Sequence, residues 1–276
     1  MNAFKLKVIA LAAMVIDHIG GAFPQYTPLE FRVIGRLTFP IFVYLLAEGF
    51  RHTRSPHKFL LRLLAFAIIS EPFYDWALTR ARNTSIDYGL WQVDFLNYTN
   101  IFFTLFLGGC AIVVFKWLNN VLRQRFLDDF TKWEPLVYGL HMQPPGHLLI
   151  AIIAALPTAG FMWVAWWMGA DYTGYGVLFI FLMYVVKSPK WLMLAVFAVM
   201  NIWQHVGLFE FFARAWAGEI SLPLAWYLMI PVTLLTVPMV ALYNGKRGPG
   251  IKWLFYAAYP VHLGVIAAVV YFVGGS

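Results

Sequence analysis

Asp17 and His18 are adjacent ionisable residues inside an apolar stretch, VIALAAMVIDHIGGAF, that has the composition of a membrane-spanning helix. A charged side chain at the centre of a bilayer costs about 3 kcal/mol or more, so such residues normally have partners or a function. Neighbours on a helix point about 100° apart and cannot easily bond to each other. We therefore expect Asp17 to pair elsewhere, with Arg36 or His262 as candidates, and His18 to act as a general base.

Other polar residues occur in apolar segments whose predicted orientation places them at a similar depth. Polar groups within a bilayer usually face a bundle interior or a wet cavity, so we expect one outward-facing cavity. Plain structural alternatives stay open: interfacial carboxylates, polar contacts between helices, and a packing histidine. The positions are Asp17, His18, Arg36, Glu71, Asp75, Asn100, Thr104, Asp171 and His262.

A basic segment, AEGFRHTRSPHKFLLRL, lies between two apolar stretches on the predicted inner side. Arginine forks match phosphate geometry, so this segment could bind an anionic nucleotide. Two simpler interpretations remain: basic residues gather on the inner side of membrane proteins, and Glu48 could pair with Arg51 or His52. The candidate residues are Glu48, Arg51, His52, Arg54, Lys58 and Arg62.

Composition indicates a membrane protein built from helices. Of the 276 residues, 61% are hydrophobic and 12% are charged, whereas a soluble domain carries about 25% charged residues. Inner-side basic residues explain the net charge of +7 better than nucleic-acid binding does. Cys110 is the only cysteine, which excludes an intramolecular disulfide and a cysteine-rich zinc site. The scattered histidines suggest no metal site, and residues 1–276 read as a single domain.

The apolar segments predict an all-α polytopic bundle of about nine spans. Lysine and arginine concentrate between alternate spans, which favours a cytoplasmic N-terminus and an outside C-terminus. Two prolines, Pro231 and Pro238, are expected to kink the eighth span. The predicted spans are 6–23, 33–50, 59–77, 100–118, 147–168, 172–187, 191–210, 221–242 and 252–273.

The stretch LKVIALAAMVIDHIGGAF, followed by FRVIGRLTFPIFVYLLAEGFRHTRSPHKFLLRLL, resembles the TraX family, named for the conjugative F-pilin N-acetyltransferase. The number and order of the motifs carry the resemblance, more than any single motif. One departure is DYTGYG, which has a threonine where the family pattern leads us to expect D-Y-G. The later motifs are SEPF (70–73), NIFFTLFLG (100–108), DYTGYGVLFI (171–180) and YPVHL (259–263).

The resemblance implies a membrane-bound acyltransferase of the bacterial inner membrane. It would move an acetyl group from cytoplasmic acetyl-CoA, with no metal, to a pilin N-terminus or another envelope molecule. Resemblance and residue chemistry together give three groups. The catalytic group is His18, Asp17 and His262; the oxyanion and acceptor group is Arg36, Glu71, Asp75, Asn100, Thr104 and Asp171; the CoA group is Glu48, Arg51, His52, Arg54, Lys58 and Arg62.

Two other functions fit the same residues. Intramembrane Asp, His and Glu groups also occur in proton-coupled transporters, although the two halves show no convincing repeat of the kind that many transporters have. A non-catalytic factor for pilus or envelope assembly is the other alternative, but it leaves the Asp17-His18 pair without a role. Within the acyltransferase hypothesis, direct transfer and an acetyl-histidine intermediate both stay open.

Overall fold

A computed structural model describes residues 1–79, 98–126, 145–206, 224–250 and 252–274, and within these ranges the regular structure is entirely helical. The all-α prediction is therefore confirmed for the described residues. The α-helices in chain order are α1 (Ala3–Ala22), α2 (Glu30–Gly35), α3 (Thr38–His52), α4 (Pro56–Tyr74), α5 (Ile101–Phe126), α6 (Pro145–Ala155), α7 (Pro157–Trp167), α8 (Thr173–Val185), α9 (Lys190–Val206), α10 (Leu224–Leu234), α11 (Thr236–Ala241) and α12 (Lys252–Gly274).

The chain divides into two compact units. Unit 1 contains Met1–Phe42, Pro72–Val93 and Phe197–Ser276, and unit 2 contains Val43–Glu71 and Asp94–Val196. In unit 1, α1 packs against α2 and α12. In unit 2, α5 packs against α6, α7 and α8, and α7 packs against α8. The first and last helices of the chain are thus neighbours within unit 1.

Local sequence signals explain where α1 begins and ends. The Asn2 side chain accepts a hydrogen bond from the Lys5 backbone N–H at 2.9 Å, which is a helix N-cap contact. The helix ends at Ala22, and Phe23 leads directly into Pro24, which disfavours a helical conformation at the residue before it. Near this end, a Cβ on Gly20 would lie 2.8 Å from the Phe31 Cβ, so the glycine permits a close approach of α2.

Prolines shape two other parts of unit 1. Pro72 lies inside α4, which then continues as a π-helical turn at Asp75–Thr79. A proline inside a helix removes a backbone donor, and π-turns occur frequently at functional sites. Within the predicted eighth span the helix is interrupted at Leu235, since α10 ends at Leu234 and α11 begins at Thr236, with Pro231 and Pro238 on either side.

Among the described residues, four helical stretches are long and apolar enough to cross a membrane. They are Glu30–His52, Ile101–Phe126, Gly146–Trp167 and Trp253–Phe272. The predicted span at 172–187 corresponds to α8, which has 13 residues and is shorter than the roughly 17 residues that a span needs. Predicted spans 191–210 and 221–242 extend beyond the described residues. The total of nine spans and the orientation of the termini stay predictions.

Candidate functional site

Two histidines from the first and last helices meet in unit 1. His18 Nδ1 and His262 Nε2 are 2.7 Å apart, and the two rings stack with centroids 4.9 Å apart and an interplanar angle of 18°. His18 is 8% exposed, and His262 is partly buried. Both residues were predicted from the sequence to belong to the site, and the structure brings them into direct contact. We call this pair the histidine dyad.

The backbone determines how protons are arranged in the histidine dyad. His262 Nδ1 lies 2.7 Å from the carbonyl oxygen of Ala258, an acceptor, so this nitrogen carries a proton. Neutral His262 then has its lone pair on Nε2 and accepts a hydrogen bond from His18 Nδ1–H. Neutral His18 consequently has its own lone pair on Nε2. The Ala258 carbonyl, one helical turn before His262, therefore makes His18 Nε2 the basic nitrogen of the dyad.

Tyr259 packs against both rings of the dyad. Its ring meets His18 edge-on at a centroid distance of 5.7 Å and His262 edge-on at 5.4 Å, with interplanar angles of 75° and 76°. Tyr259 is 2% exposed and lies on α12, one residue before Pro260. Edge-to-face contacts of this kind stabilise a fixed ring orientation. Tyr259 therefore holds the two imidazoles in their stacked arrangement.

Asp17 has an ion-pair partner that the sequence analysis did not single out. Arg32 Nη1 lies 2.9 Å from Asp17 Oδ1, and the same nitrogen donates to the Asp17 carbonyl oxygen at 3.0 Å. Arg36 and His262 were the partners predicted for Asp17 from the sequence. Both side chains of the observed pair are partly exposed, at 25% and 20%. Arg32 thus links α2 to α1 immediately beside His18.

A second glycine brings α2 against Asp17. A Cβ added to Gly35 would collide with the Asp17 side chain, including Cβ, Cγ and Oδ1. Only a residue without a side chain fits here while Asp17 keeps its position. Gly20 and Gly35 therefore allow the short distance between α1 and α2. This short distance lets Arg32 reach Asp17.

Two further candidates lie in the same unit. Asp75 is fully buried and begins the π-helical turn, which packs against α1 and α12, the helices of the dyad. Arg36 follows α2, and its guanidinium is within electrostatic range of the His205 imidazole. Arg36 Nε has no hydrogen-bond partner among the described residues. Arg36 and Asp75 thus belong to the unit that contains the dyad.

In unit 2, Glu71 and Asn100 form a buried polar pair. Both residues are fully buried. Glu71 Oε2 accepts from the Asn100 backbone N–H at 3.0 Å and from the Asn100 amide nitrogen. The Asn100 oxygen accepts from Phe102 N at 2.9 Å, which caps the start of α5. Glu71 and Asn100, which were predicted only to lie at a similar depth, are thus joined by direct hydrogen bonds, and Asn100 also fixes a helix end.

Thr104 and Asp171 also meet in unit 2. The Thr104 hydroxyl donates to the backbone carbonyl of Asp171, whose own N–H donates to the Thr99 carbonyl at 2.9 Å. The following residues have left-handed backbone conformations, with φ of 64° at Tyr172 and 44° at Thr173. A β-branched residue rarely adopts such a φ value. Position 173 is where DYTGYG has threonine in place of the glycine expected from D-Y-G.

Arg51 caps a helix rather than facing open water. Its guanidinium donates to Glu48 Oε1 at 2.5 Å, to the Met183 carbonyl and to the Tyr184 carbonyl at 2.9 Å. The last carbonyls of α8 lack partners within the helix, and a cation is favourable there. The Arg51 side chain is only 10% exposed. The expected pairing of Glu48 with Arg51 is confirmed, and His52 also contacts Glu48 at 3.1 Å.

The other members of the CoA group differ in exposure. Arg54 and Lys58 are exposed, whereas Arg62 is partly buried with its guanidinium over the Phe59 ring at 5.6 Å. Exposed cations can reach a bound anion without losing a structural partner. Arg54 and Lys58 are thus more accessible to an anion than Arg51 and Arg62 are. Among the residues that the structure describes, no group of three or more His, Cys, Asp or Glu side chains could hold a metal ion.

The regular structure of the described residues is entirely helical and includes four apolar helical stretches of membrane length, which defines a helical membrane protein. This chain belongs to the TraX protein family, whose model matches residues 3–270, and the resemblance drawn from the motifs is thereby confirmed. It is 28% identical over 291 positions to the probable fimbrial assembly protein FimC, serogroup H1, of Dichelobacter nodosus, covering 97% of this chain and 95% of that protein.

A second relative is the uncharacterized protein RP591 of Rickettsia prowazekii (strain Madrid E). It is 23% identical over 260 positions, which cover 90% of this chain and 83% of the relative. No solved structure matches the chain. Both relatives cover the chain almost from end to end, so the similarity includes both units.

Proposed function

We propose that this protein is a multi-pass inner-membrane acyltransferase that moves an acetyl group from cytoplasmic acetyl-CoA to an acceptor at the outer face of the membrane. The acceptor is the N-terminal amine of a pilin-like protein, and His18 is the general base. The hydrogen bond between His18 Nδ1 and His262 Nε2 carries the proposal. It leaves the lone pair of neutral His18 on Nε2, the nitrogen that takes the proton.

In the proposed reaction the acceptor amine attacks the carbonyl carbon of the thioester. A C–N bond forms, the C–S bond breaks, and the amine proton moves to His18 Nε2. The CoA thiolate leaves and takes up that proton, so His18 returns to its neutral form. A positioned base of this kind contributes about 10²- to 10⁴-fold to the rate. His262 supports the step because it accepts a hydrogen bond from the Nδ1–H of protonated His18.

Arg36 is the residue we assign to the developing oxyanion. It belongs to the same unit as the dyad, and its Nε has no hydrogen-bond partner among the described residues. Asn100 and Thr104 are less suited, since their donors already bind Glu71 and the Asp171 carbonyl. Preorganised donors at an oxyanion usually supply the largest single catalytic contribution. The Arg36 guanidinium would therefore stabilise the negatively charged oxygen of the tetrahedral intermediate.

The nucleotide end of acetyl-CoA is assigned to the basic residues that follow α3. Arg54 and Lys58 bind its phosphates, because both are exposed cations and arginine forks suit phosphate oxygens. Arg51, Glu48 and His52 hold the segment in place through the ion pair of Arg51 with Glu48, the hydrogen bond between His52 and Glu48, and the contact of Arg51 with α8. Arg54 and Lys58 therefore bind the nucleotide, and Arg51 positions the segment that contains them.

The proposal is tested first by ligand binding. Detergent-purified protein is titrated with acetyl-CoA, CoA and ADP while its thermal stability is followed. A ligand that binds the folded state alone raises the unfolding temperature with concentration. We expect a rise with acetyl-CoA and CoA, followed by transfer of radiolabelled acetyl to pilin-like N-terminal peptides. No rise at millimolar concentrations of either thioester or thiol would contradict the proposal.

A second candidate is a non-catalytic role in assembling fimbriae. The name of the Dichelobacter nodosus relative favours it, since that protein is described as a probable fimbrial assembly protein. This role predicts that pilus formation survives in a strain whose His18 is replaced by asparagine. The acyltransferase role predicts that acetylation is lost in the same strain. Mass spectrometry of the pilin N-terminus together with pilus counts separates the two functions.

A further inference from the structure

The face of α9 that bears Asn201, Gln204 and His205 is unusually polar for an apolar helix. These residues are spaced i, i+3 and i+4, so they lie on one side of the helix within unit 1. Asn201 is fully buried, and the other two residues are partly buried. We call this surface the α9 polar face. The α9 polar face is separate from the histidine dyad and from the basic residues of unit 2.

His205 shows in which direction the α9 polar face points. Its Nε2 lies 2.7 Å from Thr233 Oγ1 on α10, and the Thr233 hydroxyl donates its single proton to the Met229 carbonyl at 2.8 Å. The threonine oxygen therefore accepts, and His205 Nε2–H donates. Thr233 is fully buried. This contact orients the α9 polar face towards α10.

The two amide side chains of this face have unused hydrogen-bonding capacity. Asn201 Nδ2 donates to the Phe197 carbonyl at 2.8 Å, but its buried Oδ1 has no partner among the described residues. Gln204 Oε1 and Nε2 are both buried, and neither has a partner within the described part of the chain. Buried polar atoms without partners are unfavourable and uncommon in native proteins. Such atoms fit a ligand that supplies both a donor and an acceptor.

We propose that the α9 polar face binds a secondary amide of an extended substrate chain. Gln204 Nε2–H donates to the carbonyl oxygen of that amide, and Gln204 Oε1 or Asn201 Oδ1 accepts its N–H. The ligand class rests on the proposed function, in which both substrates contain such groups. The pantetheine arm of the acyl donor carries two amides, and a peptide acceptor carries one between successive residues.

The position of Arg36 connects this face with the proposed chemistry. Its guanidinium lies within electrostatic range of His205, and α2, which ends beside Arg36, packs against α10. A chain held by Gln204 and Asn201 would therefore lie close to the residue assigned to the oxyanion. An amide contact near the residue assigned to the oxyanion would align the substrate, and alignment of this kind contributes strongly to catalysis.

Gln204→Met is the decisive variant, because methionine has a similar volume and lacks both amide atoms. Gln124→Met is the matched control, since Gln124 is exposed on α5. Thermal stability of both variants and of the wild type is measured without ligand, then during titration with D-pantetheine and, separately, with triglycine. We expect Gln204→Met to be as stable as the wild type, or more stable, without ligand. Loss of at least one hydrogen bond to the ligand should weaken binding about tenfold.

The two titrations identify the source of the amide. If Gln204→Met, but not Gln124→Met, binds pantetheine more weakly than the wild type does, the donor arm lies on the α9 polar face. If the same difference is seen with triglycine, the acceptor lies there. If neither compound stabilises the wild type, or if Gln204→Met binds both as the wild type does, the proposal is overturned. Destabilisation of ligand-free Gln204→Met would also overturn it, because Gln204 would then have a structural partner. Acetyl transfer is not measured, so failure of the acyltransferase proposal is detected separately.

Discussion

His18 and His262 are joined by a hydrogen bond of 2.7 Å although 244 positions separate them in the chain. The bond connects Nδ1 of one ring to Nε2 of the other, and the Ala258 carbonyl fixes its polarity from the far side. His18 is thus oriented by a histidine whose own tautomer is set by a backbone carbonyl. The dyad therefore gives α1 a base whose tautomer depends on α12.

The dyad predicts unequal effects for its two members. His18→Ala should lower the rate of acetyl transfer about 10²- to 10⁴-fold while the protein stays folded. His262→Ala should cost about tenfold, because it removes one orienting hydrogen bond. Initial rates and unfolding temperatures check both, with His147→Ala on α6 as the control for loss of an unrelated imidazole. Retained activity in His18→Ala would move the base elsewhere, with His262 as the first candidate.

Gly35→Ala should disturb Asp17 directly. The added Cβ would collide with the Asp17 carboxylate, so α2 must shift and the bond to Arg32 must weaken. Overpacking of this kind typically costs about 1–3 kcal/mol. Gly160→Ala is the control, since a Cβ there meets no atom within 4 Å, and it should stabilise α7 by about 0.5–1 kcal/mol. Equal denaturation midpoints for the two variants would contradict the close approach.

Thr173→Gly should stabilise the protein. Thr173 has φ of 44°, a region that costs an L-residue about 1–2 kcal/mol, whereas glycine enters it freely. The gain is partly offset by the greater backbone entropy of unfolded glycine, so a net rise of about 0.5–1 kcal/mol is expected. Thr158→Gly inside α7 should instead destabilise by about 0.5–1 kcal/mol, because glycine is a poor helix former. Chemical denaturation in detergent distinguishes the two signs.

Glu71→Leu should be strongly destabilising because it leaves donors without an acceptor. The backbone N–H and the amide of Asn100 both bond to Glu71 Oε2 inside a fully buried site. Burying them without partners costs about 1–3 kcal/mol. Glu30→Leu at the exposed start of α2 should change stability by less than about 0.5 kcal/mol. A double-mutant cycle with Asn100→Ala should show non-additivity, and strict additivity would refute a direct contact.

Arg51 and Arg54 should respond differently to replacement by alanine. Arg51→Ala should lower the unfolding temperature, since Arg51 caps α8 and pairs with Glu48. Arg54→Ala should leave the unfolding temperature unchanged and weaken CoA binding about five- to tenfold, as the loss of one charge-assisted hydrogen bond implies. Arg125→Ala, an exposed arginine at the end of α5, serves as the control. Unchanged CoA affinity in Arg54→Ala would leave the basic segment with a topological role alone.

Particular residues show how far the sequence could lead. The apolar composition and the adjacent Asp17 and His18 predicted a helical membrane protein with a polar site, because charged groups in lipid are too costly to be incidental. His262 was included as a member of that site. Pairing of Glu48 with Arg51 or His52 was among the simpler interpretations of the basic segment. These features depend on local pattern, which a sequence displays directly.

Arg32 was missed because its role depends on packing between helices. Its position near a predicted span end gave no reason to choose it over Arg36, and only the separation of α1 and α2 decides between them. Gly20 and Gly35 were the available signal, since glycines inside helices often permit close backbone approach. Asn201, Gln204 and His205 were missed for another reason. Their i, i+3, i+4 spacing was visible, but it lies in a predicted span treated as uniformly apolar.

The dyad has a consequence for the order of events during biosynthesis. Ribosomes add about 5–20 residues per second, so the 244 positions between His18 and His262 correspond to about 10–50 seconds of synthesis. During that interval α1 contains its histidine without α12 beside it. A nascent or truncated chain that stops before residue 262 therefore contains the base without the residue that fixes its tautomer. The His18 tautomer is fixed by His262 only once α12 has been synthesised and has packed against α1.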